Sequence, residues 1–144
     1  MELNQSLGFA VNHVGRLLGA ALAERLAPLG LTPAQWLVLE YVNQQPATHQ
    51  ELIARDLGSD AATLAGVLAR LEAQGFVERT EDPHDRRRKL VRPGPRPTPR
   101  TASSDARDVN DQALRGFTST EQVQLFAFLE RLRANLTRPT GSPC

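Results

Sequence analysis

The stretch QELIARDLGSDAATLAGVLARLEAQGFVERTEDPHDRRRKLV, residues 50–91, decides the fold that we predict for this chain. Its first eight residues have the pattern of a two-turn helix that ends at Gly58. Apolar residues at helical spacing then return, and this second pattern ends at Gly75, because glycine readily takes the left-handed conformation that stops a helix. The apolar positions of the second helix are Leu64, Val67, Leu68 and Leu71. Two short helices joined by a tight turn that contains glycine are typical of a helix-turn-helix.

The second half of the same stretch predicts a β-hairpin. Phe76-Val77 begins an extended run, Asp82-Pro83-His84-Asp85 has the composition of a turn, and Lys89-Leu90-Val91 can return as the second strand. Helix, turn, helix and hairpin in this order make a winged helix. Such a unit places its second helix in the DNA major groove and offers the hairpin tip to the neighbouring minor groove or backbone.

Two helix starts in this region have candidate caps. Thr48-His49-Gln50-Glu51 has the form of a capping box, in which the threonine hydroxyl and the glutamate carboxylate satisfy backbone amides at a helix start. Ser59 is the candidate N-cap of the second helix. We therefore expect these side chains to make local hydrogen bonds.

Two further helices precede the helix-turn-helix. From Leu7 the apolar residues recur every three or four positions, which predicts an amphipathic helix that ends before Pro28. Thr32-Pro33 is then an N-cap followed by proline at the first helical position, and the apolar run AQWLVLEYV predicts a core helix that extends to Pro46.

Prolines at every second position follow the hairpin. Pro93, Pro95, Pro97 and Pro99 remove backbone donors and hold the residues before them out of the α region, so no helix can run through residues 93–99. Helical spacing resumes at Ser103 or Ser104, either of which can cap, and Ser119-Thr120-Glu121 opens a last helix. One interpretation of the prolines is a real extended linker, and the other is a local reading-frame slip in the gene or its sequencing.

The positive charge of the chain is concentrated around the same segment. The whole chain carries a formal net charge of only +1, yet residues 84–100 contain seven basic side chains and one acid. These side chains are Arg86, Arg87, Arg88, Lys89, Arg92, Arg96 and Arg100, with Asp85 as the acid. A local basic patch on a near-neutral chain favours a surface for a polyanion, although a solvated basic loop has the same composition.

Four motifs in order are similar to those of the MarR family of bacterial transcriptional regulators, over about residues 5–92. They are Thr32-Pro33-Ala34-Gln35-Trp36, then Gln50-Glu51-Leu52-Ile53-Ala54, then residues 62–72 with Gly75 and Val77-Glu78-Arg79, and finally Asp82-Pro83-His84-Asp85-Arg86-Arg87. The resemblance implies an obligate homodimer that binds double-stranded DNA at a palindromic operator. It also implies regulation by a small, often aromatic or phenolic, ligand.

This resemblance divides the chain into regions. Residues 1–30 and 102–138 are expected to form a helical dimerisation region, and residues 31–92 the winged helix-turn-helix. Residues 93–101 are a Pro-rich connector, and residues 139–144 a disordered tail. The predicted fold class is therefore mainly α, with a small β-hairpin wing and a dimerisation domain built from the N- and C-terminal helices.

The resemblance and the residues together predict two kinds of site. Many relatives carry a Ser/Thr-Arg pair where this chain has Ala65-Gly66, so base contacts would come from the start of the second helix instead. Asp85 resembles the acid that orients one of the wing arginines. The candidate DNA-binding residues are Thr48, His49, Ser59, Ala61, Ala62, Thr63, Arg70, Asp85, Arg86, Arg87 and Arg88. The candidate ligand-binding residues are His13 and Trp36.

Other function classes find little support in the sequence. Its only cysteine, Cys144, follows a Pro/Gly/Ser tail, and its three histidines lack metal-ligand spacing. We expect no metal, no cofactor and no catalytic site, because no nucleophile motif or phosphate loop is present. Without an apolar run long enough for a membrane span, a cytoplasmic protein is expected. The alternative functions are a winged-helix module for protein or RNA, or a regulator impaired by its Pro-rich segment.

Overall fold

The computed structural model describes residues 2–137, which form a mainly helical fold with one three-stranded antiparallel sheet. The helices are α1 (Leu7–Leu26), α2 (Pro33–Gln44), α3 (Gln50–Leu57), α4 (Ala61–Ala73), α5 (Arg100–Ala113) and α6 (Ser119–Thr137), with 3-10 turns at Leu3–Gln5 and Ala27–Leu29. The strands are β1 (Thr48–His49), β2 (Val77–Asp82) and β3 (Asp85–Pro93), in the order β1-β3-β2. The predicted class, a mainly α winged helix-turn-helix, is confirmed. Below, α4 is the recognition helix, and β2, β3 and their turn are the wing.

The start of α2 has the predicted cap. Thr32 Oγ1 accepts a hydrogen bond from the Gln35 backbone N–H at 3.2 Å, and Gln35 Oε1 accepts one from the Thr32 N–H at 3.0 Å. With Pro33 at the first helical position, this reciprocal pair satisfies the amides that a helix start leaves open. The helix ends at Gln44, two residues before Pro46.

The cap predicted for the recognition helix is wrong by one residue. Asp60 is the N-cap, and its Oδ1 accepts a hydrogen bond from the Thr63 backbone N–H at 2.7 Å. The Ser59 hydroxyl instead donates to the Asp60 carbonyl oxygen at 3.2 Å. Both residue types cap well, so the sequence pattern could not separate two neighbours. The predicted stops at Gly58 and Gly75 are present, with positive φ angles of 65° and 83°.

The capping box predicted at residues 48–51 is also wrong. Thr48 and His49 form β1, which pairs antiparallel with Val91 and Leu90 of β3. His49 is the residue before α3, but its side chain makes no cap hydrogen bond. Pairing with a strand that lies far along the chain therefore overrides the local helix-start signal.

The hydrophobic core lies between α2, α3, α4 and the sheet. Its fully buried large side chains are Leu26, Leu39, Val42, Ile53, Leu64, Leu68, Leu71, Val77 and Val91. Leu64, Leu68 and Leu71 project from one face of the recognition helix. Because that face is inside, the opposite face of the same helix is left free for a partner.

Helix α5 begins earlier than predicted, at Arg100 rather than at Ser103 or Ser104. Pro99 is the last proline of the connector, and because Arg100 follows it, no residue from Pro99 to the end of α5 precedes a proline that would hold it out of the α region. Ser103 lies inside the helix, where its hydroxyl donates to Glu40 Oε2 at 3.3 Å. The last helix is capped one residue before the predicted triplet, by reciprocal bonds between Thr118 and Glu121.

The chain forms two compact units, and the boundary falls inside α5. The first unit ends at Val109, and the second begins at Asn110 and contains α6. The predicted division into a winged domain and a terminal dimerisation region remains a prediction, because it concerns a partner chain. The predicted tail at residues 139–144 lies outside the described residues.

Candidate nucleic-acid interface

The exposed start of the recognition helix is held by a local network. Ala61, Ala62 and Thr63 are exposed in its first turn. The Thr63 hydroxyl donates to Asp60 Oδ2 at 2.8 Å, in addition to the backbone bond to Oδ1. These bonds, the backbone one first, lower the pKa of Asp60 below its usual value. Since Asp60 engages the Thr63 hydroxyl, the first turn presents mainly methyl groups to a partner.

The wing carries a cluster of exposed basic side chains, Arg86, Arg87 and Lys89. Its two strands pair from Val77↔Pro93 to Asp82↔Asp85, so Pro83 and His84 form the tip. Strand β3 already begins at Asp85, four residues earlier than the predicted Lys89.

Arg86 and Arg87 follow the tip directly and are exposed. Among residues 2–137, Arg86 makes no ion pair, whereas Arg87 is held by Asp85. The Arg87 backbone N–H and Nε–H donate to Asp85 Oδ1 at 3.1 and 3.2 Å. The Arg87 side chain is still 91% exposed, so Asp85 orients its guanidinium without covering it. The predicted contact between Asp85 and an arginine is therefore present, and its role in DNA binding remains a prediction.

Arg88 differs from its two neighbours. Its Nε–H donates to Glu51 Oε1 of α3, and the two side chains form an ion pair. This pair neutralises Arg88 and ties the wing to the helix-turn-helix. The role of Arg88 in DNA binding remains a prediction. Sequence reasoning placed Glu51 in a capping box and missed the ion pair, because the pair joins residues far apart in the chain.

A second bond between the helix-turn-helix and the wing involves His49. His49 Nε2–H donates to Asp82 Oδ2 at 2.7 Å, while Asp82 Oδ1 accepts the His84 backbone N–H at 2.8 Å. The bond from His49, followed by that from His84, lowers the pKa of Asp82. Asp82 is only 8% exposed and anchors the wing turn. Sequence reasoning placed Asp82 in the turn but missed this anchor. The predicted role of His49 in DNA binding remains a prediction.

A cleft of about 480 Å³ separates the start of the recognition helix from the wing. Several predicted DNA-binding residues line it, namely Ala61, Asp85, Arg87 and Arg88, together with Gln50 and Lys89. The structure therefore brings Ala61, at the start of α4, and the wing residues Arg87 and Arg88 to one concave surface. A groove with positive charge at its rim is suited to a polyanion.

The other predicted residues lie outside this cleft lining. Arg70 and Thr63 line a separate recess of about 310 Å³ with Gly66. Thr48 and Ser59 are half-buried.

The two candidate ligand residues are not joined by a ring contact or hydrogen bond within residues 2–137. His13 is exposed on α1, where its ring centroid lies 5.4 Å from that of Phe9. Trp36 is half-buried against the core, and its Nε1–H is buried with no hydrogen-bond partner in the described part of the chain. An unpaired buried donor is costly and can be satisfied by a bound acceptor.

Within residues 2–137, His, Cys, Asp and Glu side chains form no group of three or more that could hold a metal ion. None of the helices in that range combines the length and apolarity that crossing a membrane requires.

Comparison with known proteins agrees with this geometry. The MarR family model matches residues 29–88. A probable transcriptional regulator from Pseudomonas aeruginosa is 34% identical, with 91% of this chain and 99% of that chain covered and a TM-score of 0.79. The uncharacterized HTH-type transcriptional regulator YybA of Bacillus subtilis (strain 168) is 29% identical, with 89% of this chain and 87% of that protein covered. The transcriptional repressor CouR bound to a 23-mer DNA duplex is 26% identical, with 92% and 95% covered and a TM-score of 0.77.

The fold and the cleft define a winged helix-turn-helix protein of the DNA-binding class. The chain belongs to the MarR family, and it is therefore a transcription regulator rather than an enzyme.

Proposed function

We propose that this chain is a sequence-specific DNA-binding repressor that acts as a homodimer and responds to a small aromatic ligand. The observation that carries the proposal is the cleft that Ala61, at the exposed start of the recognition helix, lines together with Arg87 of the wing. A recognition helix beside a basic wing can read the major groove while the wing holds the adjacent phosphates or minor groove.

The charge distribution of the wing supports binding to DNA. Arg86 and Arg87 are exposed, and the contact from Asp85 leaves the Arg87 guanidinium free to meet a phosphate or a narrow minor groove. Arg88 lines the same cleft, and its ion pair with Glu51 holds the wing against α3. The small residues of the first turn favour contacts to thymine methyl groups and recognition of DNA shape.

The exposed apolar residues of two helices support the homodimer. On α1, Leu7, Val11, Val14 and Leu17 are each about half exposed or more, and α6 (Ser119–Thr137) buries none of its residues. The exposed apolar side chains of α6 are Val123, Phe126, Phe128, Leu129 and Leu136. Apolar faces of this extent indicate a binding surface, and a second copy covers both faces in a symmetric way.

The unpaired indole N–H of Trp36 supports an effector site near this residue. An aromatic weak acid could accept that hydrogen bond and stack on the ring. Trp36 is the only tryptophan in the chain, so its fluorescence reports directly on binding. We expect a phenolic acid to quench this fluorescence and to weaken DNA binding. In Trp36→Phe, which keeps an aromatic ring but lacks the donor, calorimetry should detect weaker ligand binding.

Selection of bound DNA from random duplexes tests the function as a whole. The proposal predicts a palindrome whose half-sites lie about one helical turn apart, as two symmetric recognition helices require. Absence of enrichment, or enrichment from an RNA pool instead, would favour the winged-helix module for RNA or protein. A repressor must also lower transcription from a promoter that carries the selected site, and a rise in transcription would identify an activator.

A further inference from the structure

The Pro-rich connector directs its backbone donors at the end of the recognition helix. Its four prolines leave three backbone amides within residues 93–99. The Gly94 amide donates to the Phe76 carbonyl oxygen at 2.8 Å. The Arg96 amide donates to the Gly75 carbonyl oxygen at 2.9 Å. Two of the three available donors are therefore used at the point where the recognition helix passes into the wing.

The same contact point leaves no room for a side chain at Gly94. A Cβ atom there would lie 2.4 Å from the Gly75 carbonyl oxygen, and 2.9 Å from both the Phe76 carbonyl carbon and the Val77 nitrogen. Because these neighbours are backbone atoms, they cannot yield as the end of a flexible side chain does. The connector and the exit of the recognition helix are thus in direct backbone contact.

Arg96 adds a side-chain contact at this point. Its guanidinium carbon lies 4.3 Å from the centroid of the Phe76 ring, within the range of a cation–π interaction. The Phe76 residue is only 3% exposed and belongs to the core. Arg96, which is itself exposed, therefore covers a core aromatic ring with its guanidinium.

The other end of the connector is attached to α2 and the core. Thr98 Oγ1 accepts a hydrogen bond from Asn43 Nδ2 at 3.0 Å. Four residues further on, Ala102 of α5 is fully buried in the same core as the recognition helix. The connector thus has contacts at both ends, within the unit that ends at Val109.

The alternating prolines make the segment between these contacts stiff. Each proline fixes its own φ near −65°, and each also restricts the residue before it to extended conformations. A segment of this composition loses little conformational freedom when it is held at both ends. Because the segment is stiff, its two ends keep a fixed separation.

We propose that the connector is a rigid brace that fixes the recognition helix relative to the start of α5, and that Gly94 and Arg96 are positioning residues for DNA binding. The inference rests on the proposed function, because its main consequence concerns the operator. In a dimer, the separation of the two recognition helices sets the half-site spacing that is accepted. A stiff brace makes the protein selective for one spacing, and a loosened brace relaxes that selectivity.

Three variants of the full chain separate bracing from charge and folding. Arg96→Ala removes the contact with Phe76, and Arg96→Lys keeps the charge and can still lie over the ring. The double variant Pro95→Ala/Pro97→Ala keeps all side-chain contacts of Arg96 but restores backbone freedom. The matched control is Arg100→Ala, which removes the same charge four residues away at an exposed position.

Affinity is measured on the selected duplex and on versions with one base pair added or removed between the half-sites. One added or removed base pair rotates one half-site by about 35° relative to the other. The wild type should therefore bind these altered duplexes about tenfold or more weakly than the selected duplex. In Arg96→Ala and the double proline variant, we expect the altered duplexes to bind only about threefold or less more weakly than the selected duplex. We also expect both variants to bind the selected duplex more weakly than the wild type does. Arg96→Lys should stay close to the wild type, and Arg100→Ala should weaken binding to all three duplexes by one common factor. The brace is overturned if Arg96→Ala and the double proline variant both keep the wild-type ratio of affinities between the selected duplex and the altered duplexes.

Amide hydrogen exchange on the DNA-free protein tests the brace without DNA. A failure of the brace can therefore be told apart from a failure of the proposed function. The Gly94 and Arg96 amides should be protected in the wild type and should exchange at least about tenfold faster in the double proline variant. If selection yields no DNA, the proposed function fails, and protected amides still support a structural brace. Unprotected amides in the wild type overturn the brace whether or not DNA is selected.

Discussion

The winged domain and the last helix use their apolar residues in opposite ways. The recognition helix buries Leu64, Leu68 and Leu71 completely within its own chain. Helix α6 is longer, yet none of its residues is buried, and Phe126 is 59% exposed. The first region can therefore be stable by internal packing, whereas the second presents an apolar surface that requires a partner. Amphipathic spacing alone predicts a helix in both regions and does not say whether the apolar face is covered from within or from outside.

The largest expected effect tests the internal packing of the winged domain. Leu68→Ala removes a fully buried side chain and leaves a cavity, so it should lower the free energy of unfolding by about 2–5 kcal/mol. The matched control is Leu37→Ala on α2, where the same change falls on a side chain that is 44% exposed and should cost much less. Denaturant unfolding of both variants measures the difference. Equal losses would show that the core is not centred on the recognition helix.

The second prediction concerns the exposed apolar face of α6. Phe126→Asp places a charge on the apolar face of α6, and it should weaken self-association by about 2 kcal/mol or more, roughly thirtyfold, if Phe126 lies at the dimer interface. Sedimentation at several protein concentrations measures the association constant. Gln124→Asp adds the same charge at another exposed position of this helix and should have little effect. A compact monomer in the wild type at micromolar concentration would contradict the homodimer.

The third prediction asks whether the winged domain alone supplies the charges that bind DNA. Arg87→Ala should cost about 1–3 kcal/mol of binding and reduce the slope of log affinity against log salt by about one unit. Asp85→Ala should also weaken binding, because it releases the Arg87 guanidinium, although it raises the net positive charge.

The Asp85 variant also separates a shaped wing from a basic loop. If only net charge matters, Asp85→Ala binds DNA more tightly. Tighter binding by this variant, with an unchanged salt slope for Arg87→Ala, would rule out the oriented wing.

The smallest expected effect concerns pH and the anchor of the wing. Hydrogen bonds from His49 and His84 depress the pKa of Asp82 below its ordinary value of 3.8. A depressed carboxyl pKa contributes stability that is present above the unfolded pKa and is lost as the pH falls through the folded pKa. Asp82→Asn should therefore be less stable than the wild type at pH 6, and the difference should narrow below about pH 4.

Thermal unfolding across pH 2.5–6 measures the contribution of Asp82. Asp111→Asn is the control, since it removes an exposed carboxylate that makes no hydrogen bond or ion pair within residues 2–137. A stability difference between Asp82→Asn and the wild type that does not change with pH would show that the ionised carboxylate has no special role.

Local patterns predicted most of the fold, and they failed where two signals competed. The helix stops at Gly58 and Gly75 and the capping box of Thr32 were predicted because each depends on a few adjacent residues. Ser59 and Asp60 are both good caps, so the choice between them was open to the sequence. The expected capping box at residues 48–51 failed because Thr48 pairs with β3 instead.

The candidate site was predicted less completely than the fold. The wing arginines were found from the turn composition and the local charge, and the contact between Asp85 and Arg87 spans only two residues. The bond of Arg88 to Glu51 and that of His49 to Asp82 were missed. These pairs join residues that approach each other only after the wing has folded against the helix-turn-helix. Long-range pairing has no periodicity, and no local signal could have found it.

The sequence by itself determined the order of the helices and the hairpin, the buried face of the recognition helix and the position of the basic hairpin. Hydrophobic periodicity, glycine and proline gave these features because they act through neighbouring residues. Only the tertiary structure decided what surrounds each arginine of the wing and the connector. Arg87 stays exposed beside Asp85, Arg88 is neutralised by Glu51, and Arg96 lies on Phe76. Their side chains are chemically identical, so the difference arises from the surfaces that folding brings against each one.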